Sequence, residues 1–240
     1  MFKNKSNSRI LTISDPHFPY QHPDAIKFLA ALKKKLKPTR IICVGDEADK
    51  HAMSFHDSDP DLPSAGDELK KTIKLLKPLY KLFPKMDLVD SNHGSMAFRK
   101  AKHHGIPTKY LRDYGEILEA PKGWVWHSTL TIDLPTGQKL FICHGMQKCG
   151  LKLASSMGMC TLQGHYHTEF NIKYGSSPSQ LYWSMQIGCL INDKALAFAY
   201  NKITPSRPII GTGVIIDGYP YLVPMILKKG GRWDGKIVLP

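Results

Sequence analysis

The apolar positions of the chain change their period about midway. In the first half, short apolar runs alternate with amphipathic stretches. "RILTIS" alternates, with Ile10, Thr12 and Ser14 on one face, and predicts a strand. From about Asp24 to Lys37 the residues Ala25, Leu29, Leu32 and Leu36 form one stripe at helical spacing, with the lysines largely elsewhere. "RIICVGD" is an unbroken apolar run closed by Gly, the pattern of a strand buried on both faces. A second helix opens at "SAGDELKK", where Ser64 and Asp67 have capping-box spacing, and Pro78 is expected to kink or end it. "MDLVDS" reads as a third strand, and helical segments are expected over residues 95–120.

The second half is strand-rich: "HSTLTIDL", "QKLFICHG", "LYWSMQIG" and "TGVIIDGYPYLVPMIL", with "PTG" and "DG" as hairpin-type turns. A βα half followed by a β-rich half predicts an α/β fold, two sheets packed together with helices outside. No repeat or low-complexity linker divides the chain, so a single domain over 1–240 is expected. The tail "KKGGRWDGK" is Gly-rich and basic, and is expected to be mobile.

Composition narrows the class. Hydrophobic residues make up 42% of 240, enough for a sizeable core. No apolar run is long enough for a membrane helix, and "MFKNKSNSRI" lacks the apolar centre of a secretory signal. A soluble, intracellular, cytoplasmic protein without a membrane partner is the expectation. Cys43, Cys143, Cys149, Cys160 and Cys189 form no CxxC pair and read as reduced thiols. The formal charge of +13 attracts polyanions, with nucleic acid the commonest partner of that kind.

Five short segments place Asp, His or Asn just after a strand-like run: "SDPHFP", "VGDEAD", "SNHG", "CHG" and "GHYH". In α/β sheets, residues at the carboxyl ends of different strands converge. Asp15 and His17 alternate, as do His165 and His167, so each pair can bend round one ion. Mixed imidazole and carboxylate donors suit Mn, Fe, Zn or Ni. A carboxylate such as Asp46 can bridge two ions, and two ions about 3.5–4 Å apart can clamp a phosphate and activate water. His93 is then free to protonate a leaving oxygen.

The order D-x-H, G-D-x-x-D, N-H, H-G and G-H-x-H, running from Asp15 to His167, resembles the calcineurin-like metallophosphoesterase superfamily. The resemblance implies a four-layer αββα sandwich of two mixed β-sheets flanked by helices, with a dinuclear metal centre. It implies that Asp15, His17, Asp46 and His167 hold one metal and that Asp46, Asn92, His144 and His165 hold the other. His93 would be the catalytic acid, and Asp49 would orient its neighbours. Two divalent ions are expected, Mn²⁺ in preference to Fe, Zn, Ni or Mg. In "SNHG", Ser91 stands where the family usually has Gly, and Gly94 where it usually has an acid that orients the His.

Within the superfamily, a phosphodiesterase or nuclease acting on nucleic acid or nucleotides fits the basic charge best. The alternatives are a phosphomonoesterase or protein phosphatase, disfavoured by "GDEADKH" and "NHG", and a non-catalytic scaffold, disfavoured by retention of all seven ligands. "MQIGCLINDKALAFAYNK" is similar to the corresponding segment of phage-encoded members. Arg99, Lys100 and Lys102, just after the candidate acid, are expected to bind substrate phosphates. His51 and His56 are candidates for lining the site. His22 and His127 read as incidental, and Tyr182, Trp183 and Phe198 as core.

Overall fold

The computed structural model describes residues 7–55, 59–195 and 205–240. His56 and Phe198 lie outside them. The first six-stranded sheet runs β11-β10-β1-β2-β3-β4, built from β1 (Arg9–Ile13), β2 (Arg40–Cys43), β3 (Lys85–Val89), β4 (Gly123–His127), β10 (Gly211–Ile216) and β11 (Tyr219–Pro224). Strands β1 to β4 are mutually parallel, and the β10–β11 hairpin joins β1 antiparallel. The second sheet runs β5-β6-β7-β9-β8, from β5 (Leu130–Asp133), β6 (Lys139–Cys143), β7 (Cys160–Gln163), β8 (Phe170–Ser176) and β9 (Leu181–Ile187). Here β6, β7 and β9 are parallel, and the edge strands β5 and β8 are antiparallel.

Period-two alternation sorts these strands' side chains into layers. Ile10 and Ile42 turn toward Leu140, Ile142 and Leu162 and form the core between the sheets. Leu11, Ile13 and Cys43 turn the other way, against helices α1 (Ala25–Leu36) and α2 (Ala65–Leu82). Phe141 and Cys143 of β6 point outward to Leu153 of α5 (Gly150–Met157). The result is helices, sheet, sheet and helix: the expected αββα sandwich. Tyr182 and Trp183 are both buried in the core, on alternate faces of β9. The shorter helices α3 (Met96–His103) and α4 (Tyr114–Ile117) follow β3. Cysteines 43, 143, 160 and 189 are buried thiols, and Cys149 is an exposed one. Among the described residues, no helix is long and apolar enough to cross a membrane.

Pro78 does not end α2, which runs four residues past it. A proline removes the bond to the carbonyl four residues back, here that of Lys74. Both residues are exposed, so water can take that carbonyl, while Leu76 and Leu79 anchor the helix on either side. Ser64 caps α2 as expected, its hydroxyl accepting from the Asp67 N–H at 3.3 Å.

The basic tail, expected to be mobile, is docked on the N-terminus of α1. Arg232 straddles both Asp24 oxygens, with Nε 2.6 Å from Oδ2. Trp233 donates its N–H to Asp24 at 3.1 Å and sets its indole edge-on to Phe28. Asp24 makes no side-chain capping bond to α1, because its carboxylate is turned to the tail. Arg232 holds Asp24 down, from an ordinary 3.8 to about 2.

A depressed carboxyl contributes stability that is present above its unfolded pKa and lost as pH falls through the folded one. The pair should therefore stabilise fully above pH 4 and progressively less toward pH 2. Arg232 is 60% exposed and Asp24 6%, so the pair stands between an exposed and a buried one and Arg232→Ala should destabilise the fold near neutrality. Melting temperature should drop at pH 7 and hardly at all at pH 2. An equal drop at both values would mean that the pair is not what Arg232 contributes.

Candidate metal centre

The five segments all fall at the carboxyl ends of parallel strands. Asp15 and His17 follow β1, Asp46 and Asp49 follow β2, and Asn92 and His93 follow β3 in the first sheet. His144 follows β6, and His165 and His167 follow β7, in the second. The loops are tied to one another by their backbones. Asp15 donates to the Gly45 carbonyl at 3.3 Å, His17 to the Asp46 carbonyl at 2.9 Å, and Gly164 to the His144 carbonyl at 2.8 Å. The N–H of His93 donates to Asp46 Oδ1 at 3.1 Å, and that of His165 to Asp15 Oδ2 at 3.1 Å.

These turns require unusual backbone. Asp15, His17, Asp46 and His165 all have positive φ, between 47° and 65°. Asp and His tolerate this region better than β-branched residues do, yet each such position is mildly strained, a pattern that clusters at functional sites. Two glycines allow the loops to approach. Gly45 has φ 106°, and a Cβ there would lie 2.7 Å from Ser91 Cβ and 2.8 Å from His144 Nδ1. A Cβ on Gly164 would collide with the Ser14 hydroxyl and the Asp15 carboxylate.

Two sets of donor atoms result, each gathered within 4.8 Å: Asp15, His17 and His167, and Asp46, His144 and His165; a third group of the same kind, His17, Asp49 and His93, shares His17 with the first. His167 Nε2 is 3.4 Å from Asp15 Oδ1, and His17 Nε2 is 3.5 Å from Asp46 Oδ2. His144 Nε2 lies 3.1 Å from Asp46 Oδ2, 2.7 Å from Asn92 Oδ1 and 3.2 Å from His165 Nδ1. Asp46 thus touches both sets. All seven side chains predicted as ligands come together.

The donor chemistry fits divalent metal. Asp15 and Asp46 are fully buried, and an ionised carboxylate in such a place needs a cation. Their ion-pair partners among the described residues are imidazoles. Burial works against a charged His144, but the Asp46 and Asp15 carboxylates outweigh it and push its pKa up to about 10. A proton there does the work of a positive charge held between the two acids. Burial likewise opposes ionised Asp46, and His144 and then His93 overcome it, holding the carboxyl well below the usual range. Burial, and then positive His144, push His165 down. The imidazoles are also oriented as ligands are. His17 Nδ1 bonds the Asp49 carboxylate at 2.6 Å, and His144 Nδ1 the Val44 carbonyl at 2.8 Å. With Nδ1 as donor, each ring aims its Nε2 into the cluster, where loss of the Nε2 proton would leave a lone pair for a metal, the arrangement that outer partners give to metal-binding histidines.

Asp49 therefore orients His17 most directly; its carboxylate is 3.8 Å from His93 Nδ1. His93 Nδ1 instead makes a close contact with the Asp49 backbone carbonyl. The two departures within "SNHG" have local roles. Ser91 Oγ accepts the Gly94 N–H at 2.9 Å and closes the turn. The Gly94 carbonyl accepts Lys50 Nζ at 2.7 Å. Lys50 was not singled out from the sequence. It is buried, sits 3.9 Å above the Tyr114 ring, and burial lowers its amine to about 8. Its only sequence signal is its position next to Asp49.

Of the three expected substrate-binding residues, Arg99 is at the site. Its guanidinium donates to the Asn92 carbonyl at 2.6 Å, and it lines an open cleft of ≈ 400 Å³ with Ser95, Ser128, Met146, His144 and His165. Lys100 and Lys102 are not among the cleft walls; Lys100 lies over the Phe55 ring. His51 Nδ1 reaches to 4.0 Å from Asp49 Oδ2, at the border of the centre. His127 bonds Asp87, and His22 bonds the Asp24 N–H and the Gly231 carbonyl, both away from the cluster.

No protein-family model and no curated protein matches the sequence. Solved structures do. Yfce, a phosphoesterase from E. coli, superposes with a TM-score of 0.50 at 13% identity, over 96% of this chain and 97% of its own. This chain shares its fold with that protein. Vacuolar Protein Sorting 29 from Cryptosporidium parvum aligns at a TM-score of 0.49 and 13% identity, over 97% of this chain and 95% of its own. A metallophosphoesterase from Sphaerobacter thermophilus aligns at 0.45 and 13%, over 90% and 87%. At such identities the likeness concerns the fold alone.

Gly164→Ala tests the packing of the centre. The added methyl forces Asp15 or Ser14 to move, and overpacking of this kind costs about 1–3 kcal/mol. We expect a lower melting temperature together with weaker binding of Mn²⁺ by titration calorimetry. Unchanged Mn²⁺ affinity would show that Asp15 does not need the position described.

Proposed function

We propose that the protein is a dinuclear metal-dependent phosphoesterase that hydrolyses phosphodiesters, with nucleic acid or nucleotides as its substrate class. The observation that carries this reading is the convergence of seven donor side chains from five strand ends in two sheets. Asp15, His17, Asp46 and His167 would hold one ion, and Asp46, Asn92, His144 and His165 the other. The mixed nitrogen and oxygen donors suit Mn²⁺, with Fe, Zn, Ni and Mg as alternatives. When bound, such a pair of ions draws charge from phosphoryl oxygens and makes water nucleophilic.

The chain's own groups do the rest. With Nδ1 on the Asp49 carbonyl, His93 has Nε2 to present to a leaving oxygen, as a general acid requires. The Asp49 carboxylate fixes the ring of His17. Arg99 gives the cleft a positive wall beside Asn92, suited to a phosphate or its neighbour along a chain. The open cleft has room for a diester, which extends on both sides of phosphorus. Retention of every donor speaks against a non-catalytic scaffold.

Three measurements test this. Protein loaded with Mn²⁺ should hydrolyse bis-p-nitrophenyl phosphate faster than p-nitrophenyl phosphate; the reverse order would establish a monoesterase. Metal analysis of Asp46→Asn should show loss of both ions, and retention of two would remove Asp46 as the bridge. His93→Ala should keep its metal while kcat falls about 10²–10⁴-fold on an alkyl or nucleotide ester. That loss should shrink with p-nitrophenolate, a leaving group that needs little protonation. If His93→Ala sheds metal as readily as Asn92→Ala does, His93 is a ligand and not the acid.

A further inference from the structure

The outer helical layer carries a charge pattern that the metal centre does not use. On α2 the buried side is formed by Glu68, Thr72, Leu76 and Leu79. At 3.6 residues per turn, Lys70, Lys74, Lys77 and Lys81 fall within a stripe about 60° wide, directly opposite that side. All four are exposed. On α1 the outward positions opposite Ala25, Leu29 and Leu32 include Lys27 and Lys34, also exposed.

Both helices lie on the same face of the first sheet and contribute to one core. The C-terminus of α1 is fastened to that of α2 by Lys33, which donates to the Leu82 carbonyl at 2.6 Å. Across the two helices, Asp67 is the one exposed acidic side chain; Glu68 is buried and bonds the N–H groups of His51 and Ala52.

This is an unusual way to decorate a surface. Lysines at i, i+4, i+7 and i+11 are like-charged neighbours, and each such pair destabilises a helix. Glutamates interspersed at those spacings would do the opposite, and they are missing. The need for cations at helix C-termini accounts for Lys33, Lys34, Lys35 and Lys81, in the last turns, but not for Lys70 and Lys74 near the other end. The stripe is about 16 Å long at 1.5 Å per residue. It starts two residues past Glu68, whose bonds hold the segment just after Asp49, and runs away from the metal edge.

We propose that the lysine stripes of α2 and α1 form a track for the phosphate backbone of nucleic acid. The track holds the part of a long substrate that lies beyond the cleft. The occupant is chosen by charge complementarity: a regular polyanion meets a regular row of cations whose acidic neighbours lie only at the near ends, Asp67 paired with Lys70 at 3.2 Å and Asp24 3.8 Å from Lys27, while Lys74, Lys77, Lys81 and Lys34 have no such pair among the described residues. The proposal rests on the phosphodiesterase reading above, but binding can be tested apart from catalysis.

The probe is a fluorescein-labelled DNA duplex of about 20 base pairs, followed by anisotropy in EDTA across a range of KCl, since each phosphate contact contributes about −0.9 to the slope of log K against log salt. The test variant is Lys74→Gln, Lys77→Gln and Lys81→Gln combined; Gln retains helix propensity. The control combines Lys139→Gln, Lys152→Gln and Lys173→Gln, which removes the same charge from exposed positions of the second sheet and α5. The slope should flatten by about two to three units in the test variant, with at least a tenfold loss of affinity at low salt, and should barely change in the control. Hydrolysis of bis-p-nitrophenyl phosphate should be the same in all three proteins.

Equal losses in both variants, or none in the first, would overturn the track. So would tight binding to phosphatidylserine vesicles without binding to the duplex. A duplex that binds through these lysines and is never cut with metal present would leave the track standing and remove the nuclease reading. Hydrolysis of the small diester without duplex binding would do the reverse.

Discussion

Two carboxylates buried in the middle of the molecule, Asp15 and Asp46, set the terms for everything around them. Neither has a lysine or arginine as ion-pair partner among the described residues. An unpaired ionised carboxylate in a protein interior is among the most unfavourable arrangements available. The chain meets this by aiming imidazoles at both, from its own loops and from the opposite sheet. Those loops then adopt left-handed backbone at Asp15, His17, Asp46 and His165. Strain of that kind survives only where the surroundings over-determine it. Here they do, through the backbone bonds that tie the loops after β1, β2, β6 and β7 to each other. These bonds fix the donor loops to one another, which is what a metal site needs if its ligands are to keep their geometry.

The sandwich is the device that brings the two halves of the centre together. His144, His165 and His167 come from the second sheet and the remaining donors from the first. Only face-to-face packing with strand ends aligned lets His144 Nε2 approach Asp46 at 3.1 Å. The core between the sheets, Ile10, Ile42, Ile142, Leu162 and Met185 among others, therefore fixes the alignment of donors as well as stabilising the fold. A one-residue slip of β6 or β7 would turn its apolar set to the wrong face, so register and ligand placement are specified together.

Much of this was legible in the sequence because the relevant signals are local. A strand followed by Gly-Asp, His-Gly or Gly-His marks both the donor and the close approach beside it, as Gly45 and Gly164 illustrate. The layers followed from the change of period. What could not be read depends on partners far away in the chain. The β10–β11 hairpin looks like more of the β-rich half, yet it crosses back to pair with β1 and covers what would have been an edge. Arg232 and Trp233 sit in a glycine-rich tail with every sign of mobility, and their partner Asp24 is more than two hundred residues away. Lys50 reads as one more surface lysine until Gly94 and Tyr114 close over it. The basic run after His93 was adjacent in sequence, but a helix turns successive residues to different sides. Only Arg99 of the three faces the cleft.

Burial also changes the meaning of the net charge. Asp15, Asp24, Asp46, Glu47, Asp49 and Glu68 are all buried, whereas Lys50 is the buried lysine among the described residues. Six of the 20 acids that partly balance the formal charge of +13 are thus withdrawn from the surface, and those in the centre are matched by imidazoles there. An approaching polyanion meets an exterior more positive than the composition suggests. Long-range attraction and local chemistry are in this way separated in space. A cluster of negative charge lies inside, where cations would be held, and positive charge is spread over the helices and the rim at Arg99, where a phosphate chain would first arrive.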